Sequence, residues 1–241
     1  MFNNIPPITR NLIIINVVVF IVAYLVPILD LNLTGFYPFS PNFKSWQIIT
    51  HMFMHGSFVH ILFNMFTLYS FGPILEQSLG DKKYLILYFL SGLGAFFLFN
   101  LWNFFEIQQL ISQLQEMNVD VSEIYSRSDL RTYGYSDTIY LDNPLSRNLY
   151  ESFTGGMVGA SGAIFGVIAA FATLYPEAKI GIMFIPIPVK VKYVLPIVVI
   201  GSIYLGVSGN GGGIAHLAHV GGAIVGFILA RIWRKHLYRF N

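Results

Sequence analysis

The sequence contains no cysteine and very little charge. Of its 241 residues only 11% are Asp, Glu, Lys or Arg, where a soluble domain carries about 25%. The missing cysteine excludes disulfides, a thiol nucleophile and thiolate metal sites, without fixing a compartment. The formal net charge of +2 is too small for a phosphate backbone, so no nucleic-acid partner is expected. What remains is apolar: 55% of the residues are hydrophobic and the mean hydropathy is +0.62, the composition of a protein whose surroundings are membrane lipid.

A bilayer core about 30 Å thick needs about 20 apolar residues per helix. Six segments qualify, at about 11–29, 58–77, 84–102, 157–175, 192–207 and 214–233. The fifth is short and holds Pro196, which a spanning helix tolerates. The first is read as a retained span, because no small-residue cleavage site follows it. The expected fold class is therefore all-α, a polytopic bundle of six transmembrane helices forming one membrane domain over 1–241. Lys and Arg set the orientation. With the N-terminus inside, ten of the fourteen fall inside and only Lys44, Arg127, Arg131 and Arg147 fall outside. Both termini are expected to be cytoplasmic. A compact six-span chain points to a multi-pass protein of a bacterial inner membrane.

Two outer connections stand apart. Residues 30–57 are too polar to span and hold Phe36, Tyr37, Phe39, Phe43 and Trp46, which predicts a structured, partly interfacial loop. Residues 103–150 form a polar insertion. Ile107, Leu110, Ile111, Leu114 and Met117 recur at helical spacing, which predicts an amphipathic helix continuing span three. The remainder, rich in Tyr, Ser and Asp, has no clear period. The insertion as a whole is read as a variable linker, with contact to substrate or shaping of a lateral entrance as the alternative.

Polar atoms inside apolar spans need a reason. Three clusters qualify. In HMFMHGSFVHILFN, His60 and Asn64 are four residues apart and share a helix face. His51 and His55 are also four apart, but HMFMH lacks the glutamate of HExxH and has no obvious third ligand, so no metal is expected. These two imidazoles are read as holding the outer loop together. In MVGASGAIFG, Ser161 lies among small residues, and Gly162 and Gly166 form a GxxxG pair suited to helix packing. In GGGIAHLAHVGGAIVGF, His216 and His219 precede a second pair, Gly222 and Gly226. The residues alone leave Ser161 open between packing and chemistry, and leave both histidines as candidate bases. Topology puts all three clusters at one shallow depth near the outer face. A hydroxyl, an imidazole and further donors at one depth are the parts of an acyl-transfer site. No carboxylate is well placed, since Glu76 lies toward the other end of span two, so a dyad is implied rather than a triad.

These residues resemble the rhomboid intramembrane serine proteases. Gly159-Ala160-Ser161-Gly162 matches the family's GxSG motif, His60 to Asn64 its HxxxN motif, and Ala218-His219-Val220-Gly221-Gly222 with Gly226 its AHxxGxxxG motif. The three occur in order on spans two, four and six, and the resemblance covers about residues 10–235 apart from the insertion. It implies a serine endopeptidase, a hydrolase, that cuts single-span membrane proteins near the outer face without a cofactor. It implies Ser161 as nucleophile and His219, the histidine with glycine at +3 and +7, as base. His60, Asn64 and the Ser161 N–H would form the oxyanion hole. Gly159 would let the backbone approach the oxyanion, Gly162 would sit where the turn enters its helix, and Phe165 would stack on the imidazole. Many relatives carry Trp-Arg in the first outer loop, where this chain has Trp46-Gln47, so an arginine anchor there is absent or replaced. Two alternatives stand beside this reading. A proteolytically silent relative that binds membrane clients conflicts with the intact Ser161 and His219. A transporter conflicts with polar groups confined to one depth and with the lack of an inverted repeat.

Overall fold

A computed structural model describes residues 5–134, 143–182, 185–207 and 215–237. Each expected span is a helix. α1 (Pro7–Leu25) starts on a proline, whose fixed φ suits the first turn and whose missing N–H has no partner there in any case. It stops short of residue 29 because Pro27 interrupts the hydrogen-bond ladder, and the short α2 (Ile28–Leu33) follows. The first loop continues through β1 (Gly35–Phe36), α3 (Gln47–Thr50) and a 3₁₀ turn (His51–Phe53). α4 (Phe58–Leu79) is capped by Ser57, whose hydroxyl accepts from the His60 N–H.

α5 (Asp81–Glu116) is one unbroken helix of 36 residues. At 1.5 Å per residue it is about 54 Å long, well beyond the ~30 Å hydrocarbon core, so its last turns project past the membrane. The amphipathic pattern at 107–117 is thus the continuation of span three. α6 (Val121–Arg127), α7 (Leu130–Tyr133) and the start of α8 (Pro144–Thr154) lie in the insertion, and β2 (Gly156–Met157) follows it. α9 (Ser161–Leu174), β3 (Lys179–Ile182), β4 (Ile185–Lys190), α10 (Val191–Val207) and α11 (Ala215–Leu237) follow. Ile214, the expected start of span six, lies outside the described residues. α1, α4, α5 and α11 are long and apolar enough to cross a membrane, and α9 and α10 are shorter apolar helices. The chain is an all-α, multi-pass membrane protein, with a two-stranded ribbon β1–β2 and a hairpin β3–β4 added.

α9 is the central helix. It packs against α4, α5, α10 and α11, and most of its residues are buried. The two glycine pairs divide this packing between them. A methyl group on Gly222 would overlap the Gly162 carbonyl, and one on Gly226 would overlap the Gly166 carbonyl. The α11 glycines therefore allow α9 and α11 to touch backbone to backbone. A methyl on Gly162 would instead strike Ala95, and one on Gly166 would strike Ser91, both on α5. Gly162 and Gly166 serve the α5 contact first.

The insertion is a folded unit, not a linker. Asp120, Asp129 and Asn143 cap α6, α7 and α8 by accepting from the N–H groups of Ser122, Arg131 and Leu145. Leu149 and Phe153 of α8 join Ile107, Leu110 and Leu114 of α5 and Tyr37 of the first loop in a separate apolar cluster. α6 and α7, of 7 and 4 residues, hold too few turns to show a period, whereas in α8 Leu145, Leu149, Tyr150 and Phe153 recur at helical spacing. Residues 135–142 of the insertion lie outside the described residues. The loop lacking Trp-Arg is anchored by other donors. Trp46 Nε1 donates to the Asn32 carbonyl (2.8 Å), Gln47 Nε2 to that of Leu31 (3.0 Å), and Arg131 of the insertion to those of Asn42 (3.2 Å) and Leu31 (3.4 Å).

At the far end of the bundle Glu76 of α4 is buried and holds the start of α1. Its carboxylate accepts from Ile8 N (2.8 Å), Thr9 N (2.7 Å) and Thr9 Oγ1 (2.7 Å). Ile8 and Thr9 are in the first helical turn, whose N–H groups have no intrahelical acceptor and favour a negative charge. Replacing Glu76 by Gln sets an amide N–H₂ against one of these donors and removes the charge. Thermal unfolding in detergent should show Glu76→Gln less stable by about 2 kcal/mol, the scale of hydrogen bonds to a charged group. An unchanged midpoint would contradict this account of the α1–α4 contact.

Candidate active site

Ser161 opens α9, and the residues before it form a tight approach. Gly159 has φ +120°, a backbone conformation that side chains avoid. A Cβ there would also lie 2.7–2.8 Å from the ring atoms Cε1 and Nε2 of His60. The turn therefore needs glycine twice over, once for its φ and once to admit His60. The Gly159 N–H donates to the His51 carbonyl (2.9 Å), and the His51 ring nitrogen Nδ1 contacts the Gln47 carbonyl (2.8 Å). The first loop and the serine turn are thus bonded to each other through His51.

His219, in the second turn of α11, meets Ser161 directly: Nε2 and Oγ are 3.0 Å apart. Phe165, one turn after the serine, lies flat on the imidazole, with ring centroids 4.2 Å apart and planes 3° from parallel. It fixes the ring's plane while leaving the Nε2 edge toward Ser161. His216 contacts His219 edge-on at 5.9 Å and takes no part in the Ser161 pair.

The Ser161 N–H heads a helix. The first bond of α9 runs from Ile164 N to Ala160 O (2.9 Å), so the N–H groups of residues 161–163 are not used within the helix. His60 borders the same turn across Gly159. Asn64 lies one turn further along α4, on its buried face with Ile61, Met65 and Leu68, and its Nδ2 makes no protein hydrogen bond. The arrangement can hold a nucleophile, a base and donors for a developing oxyanion. The structure thus brings Ser161, His219, Phe165, Gly159 and His60 together in one place, and Gly162, Gly222 and Gly226 at the helix contact beneath it.

α9 is short for a reason that bears on the site. Its 14 residues span about 21 Å against a ~30 Å hydrocarbon core. A helix that short falls short of at least one membrane face. Sequence reading assigned His51 and His55 to the outer loop, not to this site. His55 touches the His60 ring edge-on at 5.1 Å, and the His51 carbonyl receives the Gly159 N–H. A backbone acceptor leaves no mark in a sequence.

His51 and His55 lie outside the membrane-spanning helices, and burial lowers the pKa of each from 6.5 to about 4, with the nearby His60 adding to the effect at His55. Above pH 6.5 both are neutral whether the chain is folded or not. Between pH 6.5 and about 4 only the unfolded chain takes up the protons, so stability falls as pH falls, by up to about 1.4 kcal/mol per pH unit for each ring. Unfolding midpoints measured from pH 7 to 4.5 should show this decline, and His51→Gln should flatten it. A slope identical in the variant would contradict the assignment.

Similarity to known proteins agrees with the motifs. A family model described as Rhomboid domain matches residues 42–106 and 139–236, leaving out the stretch between them. The rhomboid protease AarA of Providencia stuartii is 29% identical over 188 residues, which are 77% of this chain and 54% of that protein. The protein YdcA of Bacillus subtilis (strain 168), whose name also carries the words rhomboid protease, is 36% identical over 62 residues, 26% of this chain and 31% of its own. The matched stretch spans about half of the first relative and under a third of the second.

Proposed function

The chain belongs to the Rhomboid family, and from that membership together with the Ser161–His219 pair we propose that it is an intramembrane serine endopeptidase. The observation that carries the reading is the 3.0 Å contact between Oγ and Nε2 in the motif positions of two separate helices. Ser161 Oγ attacks the substrate carbonyl as His219 Nε2 takes its proton. The Ser161 N–H with the side chains of His60 and Asn64 stabilises the oxyanion. His219 then returns the proton to the leaving amine, and water releases the acyl group from Ser161 by the same steps in reverse. Phe165 keeps the imidazole in plane. Gly159, Gly162, Gly222 and Gly226 allow the close approaches on which the pair depends.

The substrates are single-span membrane proteins cleaved near the outer face. A spanning helix hides its carbonyls in i to i+4 bonds, so it must unwind locally before attack, and helix-destabilising residues near the cut are favoured. Water reaches the site from that face, because the short α9 leaves Ser161 near it. The Lys and Arg distribution supports cytoplasmic termini, and the bacterial relatives support a bacterial inner membrane. Residues 1–241 act as one membrane domain that carries the insertion on its outer side.

Purified protein in detergent or liposomes should cleave a single-span model substrate, and Ser161 should react with a fluorophosphonate. Ser161→Ala and His219→Ala should abolish both. Asn64→Ala should lower the cleavage rate by about 10²–10³, the usual loss for one oxyanion donor, and less than Ser161→Ala does. Equal cleavage by wild type and Ser161→Ala would sink the proposal. An unreactive wild type would favour a silent protein that binds membrane clients.

A further inference from the structure

Asn42 is fully buried, and its side chain bonds to Ser40 of its own loop and to three further segments of the chain. Nδ2 donates to the carbonyls of Ser128 (2.7 Å) and Phe153 (3.3 Å) and to Ser40 Oγ (3.3 Å), and Oδ1 accepts from Leu130 N (2.9 Å). Its backbone carbonyl accepts from Gln47 Nε2 (3.3 Å) and from Arg131 (3.2 Å). Ser40 Oγ in turn donates to the Phe153 carbonyl (2.6 Å). One amide therefore ties the first loop to the end of α6, the start of α7 and the last turn of α8.

The position of these bonds gives them a consequence beyond the insertion. Ser40 and Asn42 follow β1 closely, and Phe153 lies just before β2. The ribbon itself has only two residue pairs, Gly35 with Met157 and Phe36 with Gly156. A two-stranded ribbon that short is marginal alone. The bonds to Phe153 close a ring behind it, and the chain leaves β2 straight into Val158, Gly159 and Ser161. The far side of the ring is closed by the bond from Gly159 N to the His51 carbonyl.

We propose that Asn42 is a positioning residue for the nucleophile turn, through which the folded insertion holds Ser161 in register with His219. The proposal rests on the reading of Ser161 as nucleophile. Asparagine suits the place chemically. Asp would set a carboxylate against the Ser128 and Phe153 carbonyls, and Ala would take this partner from the Ser128 carbonyl and the Leu130 N–H in a buried place, leaving the Phe153 carbonyl to Ser40 Oγ. A turn displaced by about 1 Å is enough to cost about 10²-fold in rate without changing the reacting groups.

The test uses the full chain in detergent micelles, with hydrogen exchange of the 155–160 segment and the rate of Ser161 labelling by a fluorophosphonate. In Asn42→Ala the 155–160 amides should exchange at least about tenfold faster, and labelling should slow about tenfold. With a cleaved model substrate, kcat should fall while KM stays within about twofold. Ser40→Ala removes the bond to the Phe153 carbonyl and the two longer ones that the hydroxyl accepts from Asn42, but leaves the Asn42 bonds to Ser128, Leu130 and Phe153. It should move both readouts the same way by less, which keeps the test available if Asn42→Ala does not fold. Asn143→Ala removes the cap at the other end of α8 and should leave both within about twofold of wild type. Unchanged exchange in Asn42→Ala and Ser40→Ala would overturn the proposal, as would an equal effect of Asn143→Ala. A wild-type Ser161 that never labels would overturn the protease reading instead, a result separable from the exchange measurement.

Discussion

The backbone contact between α9 and α11 governs everything else at this site. Helices in ordinary packing stand 8–10 Å apart, held off by their side chains. Here the α carbons of Gly222 and Gly226 rest on the carbonyls of Gly162 and Gly166. That approach sets the depth and distance at which His219 faces Ser161, and it lays the imidazole on Phe165. The same face of α9 leaves room for Ser91 and Ala95 of α5, so three helices converge around residues with almost no side-chain volume. Lipid offers no hydrophobic drive for such contacts, and close van der Waals packing supplies it.

A second constraint acts from outside the membrane. Ser161 needs a turn that brings the chain sharply into a helix, and that turn has few bonds of its own. Gly159 supplies the conformation, the His51 carbonyl holds its N–H, and β1 aligns the two residues of β2. The first loop is held in turn by Trp46, Gln47 and Arg131 and by the Asn42 network. α5 carries this assembly by running past the membrane and giving α8 an apolar wall to lean on. Packing within the bilayer and polar bonding above it thus meet at Ser161.

Much of this was legible in the sequence. The apolar runs marked all six helices, and three short motifs named the polar residues that lie near one another. What the sequence left open has physical causes. The end of α1 depended on Pro27, a signal present but outweighed by the apolar run through Leu29. The glycine pairs were visible, but which helix each one faces is a tertiary fact, and Gly162 and Gly166 proved to face α5 as well. In the insertion, α6 and α7 are too short to show a period, but the apolar spacing of α8 and the caps Asp120, Asp129 and Asn143 were readable. Asn42 gave no sign, because the partners outside its own loop lie 86 to 111 residues away.

The central claim is that helix proximity, set by glycine, makes the Ser161–His219 pair. The most direct measurement is the fluorophosphonate labelling rate of Ser161 in Gly222→Ala, taken at a temperature where wild type and variant are both folded. Neither reacting group is altered, so the account predicts a fall of at least about tenfold as the added methyl pushes α11 off the Gly162 carbonyl. Labelling at the wild-type rate would contradict it.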